Sequence, residues 1–271
     1  MRRLGVGFLL SLSWLLVVAI ATLGASWLPI DDPARQSLVR MLSPPNGQNW
    51  FGTDSLGRDI LSRVIYGFRI TFVVSIGSVM LALAAGGALG MVAGYFRGWA
   101  ERIILAACNV VLAFPPLVLI IAMVAYPGHA LIKVIVALSV VFTPAVIRIV
   151  RANTLAYSER EFVTAARAAG MGNIRLLVRE ILPNLVPTLL SYGLLLIAIG
   201  ALAEAGLSYL GLSVPPPAPT LGSMMASEQS NVLEAPHAVF FPAMALFLTI
   251  FALNMVAEAI QRHIARRERP A

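Results

Sequence analysis

The sequence predicts an all-α integral membrane protein with six spanning helices and one polar helical hairpin outside the bilayer. Three observations lead there. Only 12% of the 271 residues are charged and 59% are hydrophobic, at a mean hydropathy of +0.84, and a soluble surface needs far more charge. The charge-free runs approach the roughly 20 apolar residues that a helix needs to cross the hydrocarbon core. Residues 158–184, by contrast, carry arginines through a polar stretch that lipid does not accept.

The charge-free runs are 4–30, 70–96, 103–132, 134–147, 181–203 and 235–257. They place helices at about 7–28, 71–96, 103–126, 131–152, 187–212 and 238–260. The first run follows Arg2 and Arg3 and contains Ala19-Ile20-Ala21, which resembles a cleavage site, but it is too long for an ordinary signal segment. Run 134–147 is short, and Lys133 and Arg148 are expected to snorkel outward and lengthen it. Between the first two spans, Ser43-Pro44-Pro45-Asn46-Gly47 reads as extended. Thr53-Asp54 then reads as the cap of a surface helix whose apolar face is Ile60, Leu61, Val64 and Ile65. Pro215-Pro216-Pro217-Ala218-Pro219 reads as a stiff polyproline spacer. Gly86, Gly90, Gly94 and Gly98 recur at intervals of four, which lets another subunit or a helix of the same chain approach closely. No repeat or linker divides the sequence, so one domain, 1–271, is expected.

The hairpin 158–184 has its own local logic. Ser158 and Glu161 have the spacing of a capping box, with Tyr157 and Phe162 as the hydrophobic staple. Thr164, Ala165, Ala166, Arg167, Ala168 and Ala169 continue a helix, which Gly170 ends in the left-handed C′ position. Asn173 is placed to cap a second helix, and Pro183 to limit it at Leu182. The small side chains give a low surface that a partner's groove can approach. An ordinary amphipathic loop between spans is the other reading of the same residues.

Most of the 20 basic residues fall on one side when both termini are placed in the cytoplasm. Arg97, Arg102, Arg148, Arg151, Arg160, Arg167, Arg175 and Arg179 are then inside, with the terminal arginines. The first outer loop dissents with Arg35, Arg40, Arg58, Arg63 and Arg69. The net charge of +7 thus reads as topology, in contact with membrane lipid, and not as nucleic-acid affinity. No phosphate-binding loop is present and the sole lysine, Lys133, follows none, so ATP hydrolysis by that route is excluded. His129, His237 and His263 are scattered, and Gly206-Leu207-Ser208-Tyr209-Leu210 lacks the second glycine of a nucleophile elbow. No catalytic, metal or cofactor site is expected. Cys108 is the only cysteine, so no internal disulfide forms. Glu204 is the carboxylate well inside a span, where it either belongs to a pathway or gate or bonds to a neighbouring helix.

The hairpin resembles the EAA loop of permease subunits in binding-protein-dependent ABC importers. Ala165-Ala166, Gly170 and Pro183 stand at that pattern's spacing, with Thr164 in place of the name-giving glutamate and Ile181 directly before Leu-Pro. Trp50-Phe51-Gly52-Thr53-Asp54-Ser55-Leu56-Gly57-Arg58-Asp59, Leu112-Ala113-Phe114-Pro115 and Ala203-Glu204-Ala205-Gly206-Leu207-Ser208-Tyr209-Leu210-Gly211-Leu212 are similar to the dipeptide/oligopeptide/nickel branch. The likeness covers about 45–262 and is greatest to the DppC/OppC half of the permease pair. Asn109 stands where relatives often carry an aspartate, and no role is read from it.

The resemblance implies a type I ABC-importer permease fold in a bacterial cytoplasmic membrane. It implies a second homologous permease subunit, two cytoplasmic ATPase subunits and an extracytoplasmic peptide-binding protein. Thr164, Ala165, Ala166, Gly170 and Pro183 would then couple to an ATPase, and Glu204 is the candidate for pathway or gate. Import of di- or oligopeptides is the leading expectation. Nickel or another small solute, or a stand-alone secondary transporter, are the alternatives.

Overall fold

Hydropathy fixes the helices, and prolines and caps decide where they end. The computed structural model describes residues 6–125 and 127–267, the side chains of 263–267 apart; Arg2, Arg3 and Arg269 lie outside the described residues. The helices are α1 (Val6–Leu23), α2 (Ile60–Phe96), α3 (Gly98–Ala113), α4 (Pro116–Val124), α5 (Ala130–Ser158) and α6 (Glu161–Ala168). There follow α7 (Asn173–Leu176), a π-helical turn (Leu177–Ile181), α8 (Leu182–Tyr209), α9 (Leu221–Ser227) and α10 (Pro236–Arg267). Among the described residues, five helices are long and apolar enough to cross a membrane, or six if α3 and α4 make one bent span. The fold is therefore the all-α membrane architecture that the charge-free runs predict.

Several boundaries differ, each for a local reason. The expected surface helix is the first turns of α2, which runs unbroken from Ile60. Its cap is Asp59, whose carboxylate accepts from the Ser62 amide at 2.7 Å, and not Thr53-Asp54. The third span bends by 88° between α3 and α4. Phe114 (φ −88°, ψ 138°) and Pro115 (φ −57°, ψ 128°) each precede a proline and are extended, and Pro116 then opens α4. Helix α5 reaches Ser158, beyond its expected end near 152, and Arg148, inside it as expected, donates to Asn109 at 3.0 Å. Pro183 does not end a helix: α7, the π turn and α8 form one run, Asn173–Tyr209. In the π turn the Leu182 amide bonds back to the Leu177 carbonyl, which widens the helix just before the proline ring. The Asn184 side chain donates to the Glu180 carbonyl at 2.6 Å beside it. The proline run after α8 turns at Pro216 and Pro217 instead of running on as a spacer.

The chain groups into two compact units. The first contains Met1–Gly77, Gly128–Val134 and Ile197–Val256. Its core joins Val18 of α1, Ile60, Val64 and Phe68 of α2, and Ala245 and Leu246 of α10. Phe51 stacks on Phe241 at 4.3 Å, and Trp14 donates to Thr249 at 3.0 Å. The loop before α2 is rigid because its polar groups are consumed locally. Asp54 accepts from the Leu56 and Arg58 amides at 2.9 Å and from Arg58 Nε at 2.7 Å. Ser55 donates to the buried Glu228 at 2.7 Å. Gly57 (φ +69°) passes so close to Ser37 that a Cβ would stand 1.9 Å from its carbonyl oxygen.

The second unit contains Ser78–Pro127, Ile135–Leu196 and Ala257–Ala271. Here the glycine row meets α5 of the same chain. A Cβ on Gly86 would stand 2.7 Å from Val146 Cβ, one on Gly90 2.7 Å from Val150 Cβ, and one on Gly94 2.7 Å from the Arg151 carbonyl. Contacts that advance together along both helices mean that α2 and α5 run parallel there, with backbones brought close by the missing side chains. Gly98, beyond α2, has a φ of +60°, and a Cβ there would meet nothing within 4 Å.

Gly86→Ala and Gly90→Ala should each destabilise by about 1–3 kcal/mol through overpacking. Gly87→Ala, which meets nothing within 4 Å, should be neutral or stabilising by up to about 1 kcal/mol. Thermal unfolding of the detergent-purified chain checks the contrast.

Candidate functional site

The polar hairpin is short, and its shape follows from one glycine and one buried valine. Helix α6 ends in a Schellman motif: the Gly170 amide bonds to the Arg167 carbonyl at 3.0 Å and the Met171 amide to the Ala166 carbonyl at 3.1 Å. Gly170 has the φ of +82° that this ending requires. The start differs from expectation. Ser158 finishes α5, its hydroxyl donating to the Leu155 carbonyl at 2.8 Å, so no Ser158–Glu161 capping box forms. Arg160 stands at the N-cap with no side-chain bond. Gly172 similarly replaces Asn173 at the second cap, because Asn173 is engaged elsewhere.

That engagement fixes the hairpin to the end of α2. Tyr95 donates to Asn173 Oδ1 at 2.8 Å, and the Arg167 guanidinium lies over the Tyr95 ring at 5.7 Å. Arg97 pairs with Glu159 at 2.7 Å. These groups are exposed, so each contact contributes little alone. The apolar anchor is Val163, fully buried, with Leu176 and Leu177 also buried on the following run.

With Val163 turned inward, the opposite face is free. Thr164, Ala165 and Gly170 are exposed and Ala166 is half-buried, so the structure brings these four together on one short helix and its end. Pro183 is exposed too, but lies past the π turn at the start of α8. Ile174, 78% exposed, and Val178, 53% exposed, escaped the sequence reading. Ile174 lines a surface depression with Phe96, Gly172, Asn173 and Arg175. An apolar side chain inside a polar stretch was the available signal, since exposed apolar groups rimmed by polar ones mark contact surfaces. The arrangement presents small and apolar groups for docking. Neither a nucleophile with its base nor, among the described residues, a cluster of metal-binding side chains accompanies it.

Glu204 lies in the other unit and is fully buried. Thr71 of α2 donates to it at 2.8 Å and Ser213, in the loop after α8, at 3.1 Å. The carboxylate therefore ties α8 to α2 and to its own following loop. Glu204→Leu leaves two buried hydroxyls without an acceptor and should destabilise by about 1–3 kcal/mol. Glu204→Gln keeps an acceptor and should retain most of the stability, as measured by thermal unfolding.

Comparison with known proteins follows the same lines. Residues 86–270 match the family described as the binding-protein-dependent transport system inner membrane component. The glutathione transport system permease protein GsiD of Pectobacterium atrosepticum is 38% identical over 247 residues, covering 91% of this chain and 82% of the relative. GsiD of Escherichia coli O6:K15:H31 is 36% identical over 248 residues, covering 91% and 81%. A chain from an inward-facing structure of the MetNI methionine ABC transporter shares the fold, with a TM-score of 0.59 at 19% identity, over 76% of this chain and 96% of that one.

Proposed function

We propose that this chain, which belongs to the family of binding-protein-dependent transport system inner membrane components, forms half of the path by which an ATP-driven importer takes up small peptides. Membership makes it a membrane-embedded permease subunit of the ABC-importer kind. The finer reading, a peptide the size of glutathione, leans on the relatives named for that tripeptide, which match 91% of the chain.

In this reading the path is completed by a second permease subunit of similar fold. An extracytoplasmic binding protein delivers the peptide, and two cytoplasmic ATPase subunits supply the work. Both termini and the hairpin face the cytoplasm of a bacterial cell. The observation that carries the proposal is the exposed face of Thr164, Ala165 and Gly170, held at the end of α2 by Tyr95 and Asn173. A groove on an ATPase subunit closes over this face, with Ala166 at its edge, Ile174 beside it and Pro183 behind the π turn. Closure of the ATPases moves the hairpin, and the rigid α2–α5 pair passes that movement to the spans. Such coupling needs a contact that differs between two states, which a short helix seated on a few apolar anchors provides. Glu204 serves as a brace within its unit, and its effect on gating runs through the loop it holds.

Ala165→Trp should reduce peptide uptake at least tenfold by blocking closure, with membrane insertion and thermal stability unchanged. Gly170→Asn, which keeps the left-handed conformation, should retain uptake. ATP-dependent uptake of labelled glutathione into proteoliposomes of the assembled transporter, with ATP inside and the binding protein outside, reads both. Normal uptake by Ala165→Trp would remove the hairpin from the coupling path.

A further inference from the structure

A groove of about 610 Å³ runs between α1, α2 and α10 in the first unit. Leu15 and Ala19 of α1, Phe72, Val73 and Ile76 of α2, and Leu253 of α10 line it. Its volume is that of a small-molecule site, roughly 300–1,000 Å³, yet its wall is almost entirely apolar. The exception is at one end, where Arg69 and Thr22 complete the lining.

Arg69 is half-buried. Its Nε donates to the Thr22 carbonyl at 3.0 Å, and its guanidinium lies 5.4 Å from the Tyr66 ring centroid. Among the described residues no carboxylate forms an ion pair with it. Nε is directed by the backbone, which leaves the two terminal nitrogens of the fork for an outside acceptor. Arg69 is also the last charge before the run 70–96, so it stands at the level where hydrocarbon gives way to headgroups. A cation without an acid, at headgroup depth, heading an apolar trough, is complementary to an anion with a hydrocarbon tail.

We propose that this groove binds one anionic phospholipid, its acyl chain against Phe72, Val73 and Leu253 and its phosphate on the Arg69 guanidinium. The fork presents parallel donors to phosphate oxygens, which is the geometry that favours arginine over lysine for this task. The lipid fills a trough that α1 and α2 leave open and fastens α1 to the rest of its unit at the membrane surface.

The test uses the full chain, purified in mild detergent, stripped of lipid and then supplied with phosphatidylglycerol or phosphatidylcholine. Native mass spectrometry should show one retained phosphatidylglycerol, at least tenfold favoured over phosphatidylcholine, with a higher unfolding midpoint. Arg69→Gln should abolish the preference. Val73→Trp, which fills the trough from a position 51% exposed, should displace the lipid while the chain stays folded, so the proposal remains testable if the arginine variant does not fold. Equal retention of both lipids, or unchanged retention in Val73→Trp, would overturn it. So would binding of glycerol 3-phosphate alone, which carries the phosphate without a tail. A crosslink from Val73→Cys to another protein subunit in native membranes would also overturn it, by making the trough a protein interface.

Discussion

Three glycines in α2 remove the side chains that would hold α5 away, and the seat of the polar hairpin depends on that close approach. Gly86, Gly90 and Gly94 each meet α5 at a distance no Cβ tolerates. Two parallel helices locked this closely behave as one stiff body. The body ends where Tyr95 and Arg97 hold the hairpin. In the proposed coupling, a displacement at the hairpin travels along this pair, and packing density makes the route stiff.

The same economy governs the first unit by different means. There the backbone is tied by polar groups that satisfy each other: Asp54 with Arg58, Asp59 with Asn49 and Ser62, and Glu228 with Ser55. The stretch from Trp50 to Asp59 is thus a folded clasp before α2, and its glycines allow approaches of the chain to itself that a side chain would forbid. Glu204 ties α8 to α2 and to the loop that follows α8, through hydroxyl donors. An isolated carboxylate at membrane depth is expensive, and one that accepts two buried hydrogen bonds is much less so.

Much of this was legible in the sequence, because bilayer thickness converts directly into run length. The spans, the polar hairpin and the left-handed role of Gly170 follow from residue types alone. Partner identity for the glycine row did not, since small residues announce a close approach but not by whom. The 88° break was missed because hydropathy is blind to direction: Phe114-Pro115-Pro116 are apolar and extend the run while breaking the helix. The caps failed for a related reason. Ser158 bonds back along α5 and Asn173 accepts from the distant Tyr95, so neither is left for the helix end its type suggests. Pro183 misled because the helix runs on through it behind a π turn, and no composition rule marks where such a turn forms.

In the proposed mechanism, work done by separate ATPases enters the membrane through the exposed face of α6. A cysteine placed at Ile174 in a Cys108→Ser background, followed by crosslinking in native membranes during turnover, tests it most directly. The account predicts a covalent adduct with a cytoplasmic ATPase subunit whose yield changes between the ATP-bound and nucleotide-free states. Labelling of that cysteine by a membrane-impermeant reagent added outside intact cells, with no ATPase adduct in either state, would contradict it.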